Sequence, residues 1–559
     1  MRSPLLAFFR RAHDLHRQSR ETGVAVDVLA ASAANVGPRV SRRTFVAGAA
    51  TVVAAACVPP APATKKSVAV IGGGLAGLHC AHRLKRLGVV DVTVYEAQAR
   101  LGGRCFSDRT TFAPLHCELG GELIDTGHQT MFDLADEFGL DLIDYKTDDA
   151  ALEVLVAYFG GARVLVADVL TAYGPIAARI DSDLATLTGD GFVTYDANNN
   201  GAALDALSIK DWFDGLEVDG TIAADNIARR LFEVGFNIEF GRETDEQNVL
   251  NMLFLTSTST DELALFGESD ELFKIKDGND AIVTGLADAL AGNIKTGFTM
   301  TALSRASDGR FVVSFEGKAD VIADEVVIAL PFTILRDIAI DDSVALSAAK
   351  RLAIDSVGYG NNSKLMVGFD TRFWRDGTGE NTSNGETFSD TGYQATWETS
   401  RLQDGVEGII TNFTGGDRAD AAGVGTPEER VAEFLGEFEG VFAGVTARHN
   451  GKVSRFHWPT NSFVKASYSC YLPGQYTTIA GAEAEAEADG HLHFCGEHTS
   501  LDFQGYMEGA VVSGAAAALA VADNVGADAD QALLAASPEQ RILERAGRLR
   551  RNRRLRQRR

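Results

Sequence analysis

The apolar positions of this chain fall into two kinds of pattern. Short unbroken runs lie near both ends, and alternating or helically spaced positions lie between them. Val68-Ala-Val-Ile71 is an uninterrupted run of the kind that forms a strand buried on both faces of a parallel sheet. It leads directly into Gly72-Gly73-Gly74 and then into a helical pattern beginning Leu75-Ala-Gly77. A second strand is predicted over Val92-Thr-Val-Tyr-Glu96. Further strands are predicted in Gly297-Phe-Thr-Met-Thr301, Gly309-Arg-Phe-Val-Val-Ser-Phe315 and Glu325-Val-Val-Ile-Ala-Leu330. Near the other end, Phe494-Cys-Gly496-Glu497 reads as a strand and loop. Gly505-Tyr-Met-Glu-Gly509-Ala-Val-Val-Ser-Gly514 then opens a helix rich in small residues. Strands alternating with helices predict an α/β fold. The Ala/Glu alternation over 482–488 reads as a solvated helical turn, and the polar stretch Thr188 to Gly201 as a surface loop.

The spacing Gly72-x-Gly74-x-x-Gly77 between strand and helix is that of a dinucleotide site. Gly72 permits the tight turn, Gly74 lets backbone approach a pyrophosphate, and Gly77 lets the helix pack on the strand. The helix N-terminus offers N–H donors to the phosphates. Glu96, nineteen residues after Gly77, ends the next strand, where a carboxylate can accept from ribose hydroxyls. Arg100 and Arg104 flank the pair Gly102-Gly103. Two guanidiniums there suit a diphosphate. Taken alone, the same residues would also make a ligand-free glycine turn with solvated arginines.

Together, Glu96-x-x-x-Arg100-x-Gly102-Gly103-Arg104 and the Gly496-Glu497 and Gly505-Tyr-Met-x-Gly-Ala runs resemble the flavin-dependent amine oxidases, a family that includes monoamine, polyamine and L-amino-acid oxidases. The resemblance extends from Lys66 to about Asp523. It implies FAD rather than NAD, with Glu96 on the adenosine ribose and Arg104 near the pyrophosphate and flavin. Glu497 would hold the ribityl or phosphate region, and the Met507 backbone would face the pyrimidine edge. It also implies a discontinuous Rossmann-like FAD-binding domain of the glutathione-reductase type, from residues 66–109, 273–331 and 483–523. Residues 110–272 and 332–482 would form a mixed-sheet α+β substrate domain. Residues 1–63 would be a signal and N-terminal extension, and 524–559 a basic tail.

The same resemblance assigns the chemistry. Tyr468 and Tyr506 match the walls of an aromatic cage that orients an amine before the flavin. The counterpart of Trp458 packs near the ring, and Lys364 matches a lysine that holds a water at flavin N5. Gly120 and Gly121 would pass beside the isoalloxazine. Some relatives carry a cysteine bonded to the flavin where this chain has Ser467, so non-covalent FAD is expected. Relatives acting on amino acids place an arginine near the position of Leu123 to hold the carboxylate, whereas this chain offers Glu122-Leu123. Glu122 or Asp125 could hold a second ammonium, or could serve a salt bridge or helix cap. The expected activity is oxidation of a primary or di/polyamine to an imine, then to aldehyde plus ammonia or amine, with O2 reduced to H2O2. The alternatives are an L-amino-acid oxidase, a desaturase-type flavoenzyme acting on C–C bonds, and a non-catalytic exported flavoprotein.

Charge narrows the partners. The 559 residues carry a formal charge of −25. Residues 1–56 hold eight Arg against three acids and residues 541–559 ten Arg against Glu544, which leaves about −39 for residues 57–540. Such a body repels nucleic acid and attracts cationic small molecules, unless it reflects adaptation to salt. The basic tail could touch an anionic membrane surface, fold on the acidic body, or remain disordered. Ser41-Arg42-Arg43-Thr-Phe-Val46 before an apolar run resembles a twin-arginine export signal, with Ala61-Pro-Ala63 offering a cleavage site or Cys57 a lipidation site. Periplasmic or extracellular location is therefore expected. The six cysteines show no C-x-x-C pair, and no metal site is expected.

Overall fold

The computed structural model describes residues 66–527, apart from 90, 150, 151, 190, 261–263, 268 and 378–381. Arg42, Arg43, Cys57 and the basic tail lie outside the described residues. Val68–Ile71 is buried at every position and takes the centre of a five-stranded parallel sheet. The order is Leu492–Phe494, Glu325–Ile328, Val68–Ile71, Val92–Glu96, Ile294–Thr296. Segments from both ends and the middle of the chain thus meet in one sheet, with helix Leu75–Arg86 starting directly after the glycines. Helix Met507–Val525 lies against it. Small residues make that approach close: a Cβ on Gly514 would stand 2.3 Å from the Ala76 carbonyl oxygen.

A four-stranded sheet runs in the order Val321–Ala323, Phe311–Phe315, Met300–Arg305, Ala339–Ile340. The second half of the molecule is built on a mixed seven-stranded sheet, ordered His449–His457, Ser363–Phe369, Gly408–Thr414, Ala395–Glu398, Thr387–Ser389, Val156–Phe159, Ala162–Val164. Helices Val166–Ala185, Ile209–Val218, Ile227–Phe240 and Val249–Leu255 bury an aromatic-rich core that includes Phe213, Phe232 and Phe236. No helix among the described residues is long and apolar enough to cross a membrane.

Two segments that the sequence assigns to the substrate domain pack with the cofactor half. Helix Gln129–Glu137 buries Met131, Leu134 and Ala135 among the residues of helices Leu75–Arg86 and Met507–Val525. Ala339–Ile340 adds a parallel strand beside Met300–Arg305. A boundary drawn where a motif ends does not register which apolar face the following segment covers. The 482–488 stretch also departs from expectation. Glu483 is 1% exposed, and its carbonyl accepts from the buried Lys350 at 2.5 Å. Glu487 accepts from the Ser347 amide and hydroxyl. Cys80, Cys105, Cys117, Cys470 and Cys495 are buried free thiols.

Candidate active site

A cavity of about 550 Å³ runs from the first glycine turn to the interior of the second half. Its outer end is the cradle of the strand–helix turn. Gly72 has φ +110°, and a Cβ there would stand 2.6 Å from the Ala329 carbonyl oxygen, so only glycine fits. Gly77 packs rather than lines: its Cβ would meet the Gly72 carbonyl at 2.0 Å. Gly74 and Gly103 lie against each other, a Cβ on Gly74 meeting Gly103 Cα at 4.0 Å without a clash. The Glu96 carboxylate closes the loop, accepting from the Gly73 amide at 2.7 Å and from the Gln98 amide at 2.7 Å.

The two arginines part company. Arg104 lines the cavity and donates to Glu497 Oε1 at 2.9 Å and to the Ser467 carbonyl at 2.6 Å. Arg100 does not line it. Its guanidinium donates to the Leu101 and Gly103 carbonyls and lies 4.1 Å over the Phe106 ring. Arg100 therefore shapes the Gly102-Gly103 turn. Glu497 also accepts from Ser469 Oγ at 2.7 Å and the Gly505 amide at 3.0 Å. Burial works to raise its carboxyl, but the Arg104 guanidinium, the nearby His498 and the Ser469 hydrogen bond together hold it below the usual range.

The wall beyond is made by Gly120, Gly121, Trp458 and Met507. A Cβ on Gly120 would lie 1.8 Å from the Arg104 carbonyl, and one on Gly121 would lie 2.8 Å from Met507 Cγ. Trp458 Nε1 donates to the Leu119 carbonyl at 2.9 Å, which pins the indole beside this wall. Ser467 lines the cavity and donates to Asn362 Oδ1 at 2.6 Å, whereas Cys470 is fully buried away from it.

The inner end holds both tyrosines. Tyr468 donates to the Ile238 carbonyl at 3.0 Å. Tyr506 donates to Glu239 Oε1 and reaches Ser269 Oγ, both at 3.2 Å, and its ring lies 5.2 Å from that of His128. Lys364, on strand Ser363–Phe369, donates to Glu122 Oε2 at 2.8 Å and to the Gly120 carbonyl at 2.9 Å.

Neither carboxylate proposed for the substrate is available to it. Glu122 accepts from Lys364 and from Thr399 Oγ1, and lies 3.8 Å from Lys274 Nζ. Asp125 does not line the cavity; it accepts from the Glu271 amide at 3.0 Å and pairs with His128 at 3.2 Å. Three further acids line the cavity, Asp337, which pairs with Lys465, and at the inner end Glu239 and Glu271. Glu239 is the penultimate residue of helix Ile227–Phe240, which Gly241 ends at φ +64°. Burial pushes its carboxyl up to about 7, against the Tyr506 hydrogen bond. Glu271 is accessible from the cavity yet sits deep in the protein. Burial, then the charges of Glu239 and Asp125, hold its carboxyl well above the usual range. An acid flanked by Ile238 and Phe240 near the end of a helix was the one available hint for Glu239. Glu271 gave no local hint.

The residues present fit FAD. The glycine cradle leaves room where a Cβ would otherwise project. His498 lines the same cavity, is 2% exposed, and has no partner on either ring nitrogen among the described residues. Burial holds that ring neutral, its pKa down at about 4, so it suits a hydroxyl or phosphate ester of a ligand. Bound here, the adenosine end would lie at Glu96 and the Gly72–Gly77 turn, and the ring end at Gly120, Gly121 and Met507.

Comparison with known proteins agrees. The chain is 27% identical over 493 residues to a flavin-dependent L-tryptophan oxidase of Lentzea aerocolonigenes, covering 82% of this chain and 98% of that one. Among solved structures, putrescine oxidase bound to putrescine superposes with a TM-score of 0.69 at 20% identity, over 82% of this chain and 99% of the other. Cyclohexylamine oxidase of Brevibacterium oxydans also gives 0.69 at 20% identity, over 83% and 100%. The model of the flavin containing amine oxidoreductases matches residues 75–522. The chain therefore belongs to the flavin containing amine oxidoreductase family and is an FAD-dependent oxidoreductase acting on amines.

Proposed function

We propose that the substrate is a small amine with a second cationic or strongly polar group, a di- or polyamine before a simple primary amine. One observation carries this reading. The inner end of the cavity presents the carboxylates of Glu239 and Glu271, while its lining arginine, Arg104, is committed to Glu497. Burial raises both carboxyls, so they ionise on meeting an ammonium, and the charged pair then attracts a cation and repels the carboxylate of an α-amino acid. FAD supplies the two-electron oxidation and the passage of electrons to O2. The protein supplies position and charge: Tyr468 and Tyr506 confine the reacting amine between ring faces, and Glu239 and Glu271 hold the far ammonium. The indole of Trp458 and the Met507 side chain fill the wall against water. The resulting imine hydrolyses to an aldehyde and ammonia or amine, with H2O2 as the other product.

The test is anaerobic mixing of the FAD-loaded protein with diamines, monoamines and L-amino acids, followed by peroxide assay in air. Diamines are expected to bleach the flavin fastest. Bleaching by amino acids alone would establish the second reading, an L-amino-acid oxidase, which the L-tryptophan oxidase relative favours. We further propose that the twin-arginine stretch directs export. Replacing Arg42 and Arg43 with Lys is expected to leave the protein in the cytoplasmic fraction, and unchanged export would remove the assignment.

A further inference from the structure

Lys364 sits in an unusual setting for a cation. It is 6% exposed, on a strand whose neighbours place Phe413 and Phe456 opposite it. Its ammonium carries three protons, and three acceptors surround it: Glu122 Oε2 at 2.8 Å, the Gly120 carbonyl at 2.9 Å and the Glu118 carbonyl at 3.4 Å. The Trp397 ring centre lies 5.1 Å away. Behind Glu122 stands a second lysine, Lys274, with no exposed surface, donating to the Thr399 carbonyl at 2.8 Å. The Thr399 hydroxyl turns back onto Glu122 Oε1.

We propose that Glu122 is a positioning residue for the flavin-facing lysine: clamped between Lys274 and Lys364, it keeps the Lys364 ammonium charged and fixed at the Gly120 wall. The inference rests on the cavity holding FAD and does not depend on which amine is oxidised. Its physical basis is desolvation. A buried lysine without a counter-charge loses its proton readily, because the interior disfavours the ion. Lys350, whose hydrogen bond is to a carbonyl and not to a carboxylate, is pushed down to about 7 by burial, which outweighs the more distant charges of Glu483, Glu487 and Glu485. At Glu122, burial works to raise the carboxyl, but the charges of Lys364 and Lys274 overcome it and hold it below the usual range.

The titratable groups around Lys364 come from three segments. Glu122 and Glu118 lie on the stretch that carries the Gly120 wall, with the Glu118 carboxylate committed to Ser107 and the Asn279 amide. Lys274 and Glu271 flank the start of strand Phe273–Ile275, and Glu398 follows Trp397 but pairs with Arg372 and Arg375. Glu122 is the carboxylate paired with the Lys364 ammonium.

The test reads the flavin spectrum of the FAD-loaded protein without substrate, titrated from about pH 6 to about pH 10. The wild-type spectrum is expected to stay constant through neutral pH. Glu122→Gln should bring in an ionisation at least about one unit lower, a roughly ten-fold loss of proton affinity. That ionisation should vanish in the double variant Glu122→Gln, Lys364→Met. Glu122→Asp keeps the charge but withdraws it by one methylene, and should show a smaller shift in the same direction, which covers the case in which Glu122→Gln does not fold. The inference is overturned if both single variants titrate as wild type, or if the new ionisation survives Lys364→Met. Failure of the wild-type protein to take up FAD would instead overturn the reading of the cavity, a distinguishable result.

Discussion

Glu239 shows how one side chain can set a preference and a pH dependence together. Its carboxyl, raised to about 7 by burial, is protonated below that pH and charged above it. A distal ammonium binds the charged form. The kcat/KM for a diamine should therefore rise as pH goes from about 6 to about 8. Glu239→Gln should flatten that rise. A hydrogen bond to a charged group is worth about 1.5–3 kcal/mol, so the variant should lose roughly ten- to hundred-fold in kcat/KM on diamines and little on monoamines. Steady-state kinetics on a matched diamine and monoamine at several pH values checks both. Equal losses on the two substrates would show that Glu239 supports the site rather than reads the far charge. At this scale the sequence was legible where a role needs only neighbours in the chain. Gly72, Gly74, Gly77 and Glu96 stand within one turn and the next strand, so their spacing carries their geometry. Glu239 and Glu271 lie far apart in sequence on either side of a connecting stretch and converge only through tertiary packing. Glu122 was visible as an acid that could serve a salt bridge and Lys364 as a site lysine, but not that Lys364 and Lys274 reach one carboxylate from distant strands.

At the scale of elements, the strand–turn–helix separates folding from cofactor binding. Gly77 touches protein: a Cβ there would meet the Gly72 carbonyl at 2.0 Å, and a backbone atom cannot step aside. Gly77→Ala should lower Tm by roughly 2–3 °C with or without FAD, from overpacking toward the upper end of about 1–3 kcal/mol in a body of this size. A Cβ on Gly74 would meet nothing closer than Gly103 Cα at 4.0 Å, and the residue has φ −76°, which alanine adopts without strain. Gly74→Ala should leave the Tm of the apoprotein within about 1 °C and weaken FAD uptake. Thermal melting with and without FAD distinguishes the pair, and a similar fall in both apoproteins would contradict it. Strands in this layer were readable because burial on both faces leaves unbroken apolar runs. Helix Gln129–Glu137 fell inside the segment assigned to the substrate domain, although its apolar face covers the cofactor half, since an apolar stripe does not name its partner. The Ala/Glu alternation misled for the opposite reason. Charged letters suggested solvent, whereas Glu483 and Glu487 are held inside by hydrogen bonds to chain segments that are distant in sequence.

Over the whole molecule, the acidic body sets a long-range field toward cations. KM for a dicationic amine should rise several-fold between about 0.02 M and about 0.5 M salt, because the Debye length shrinks from beyond the cavity mouth to a few ångströms. A zwitterionic amino acid should show little change, so the salt dependence of KM separates the two substrate classes independently of the cavity variants. A flat response for amines would mean that only local contacts attract the substrate.

The strand order of the parallel sheet also constrains how the protein is made. Its centre comes from Val68–Ile71 and its edge from Leu492–Phe494, with Glu497 and helix Met507–Val525 later still. While the ribosome is still adding those last segments, a nascent chain has the phosphate loop but neither the partner of Arg104 nor the helix that braces the first one. Flavin must therefore meet a finished polypeptide. A chain cut short before residue 490 would be an unloadable fragment and not a slower enzyme.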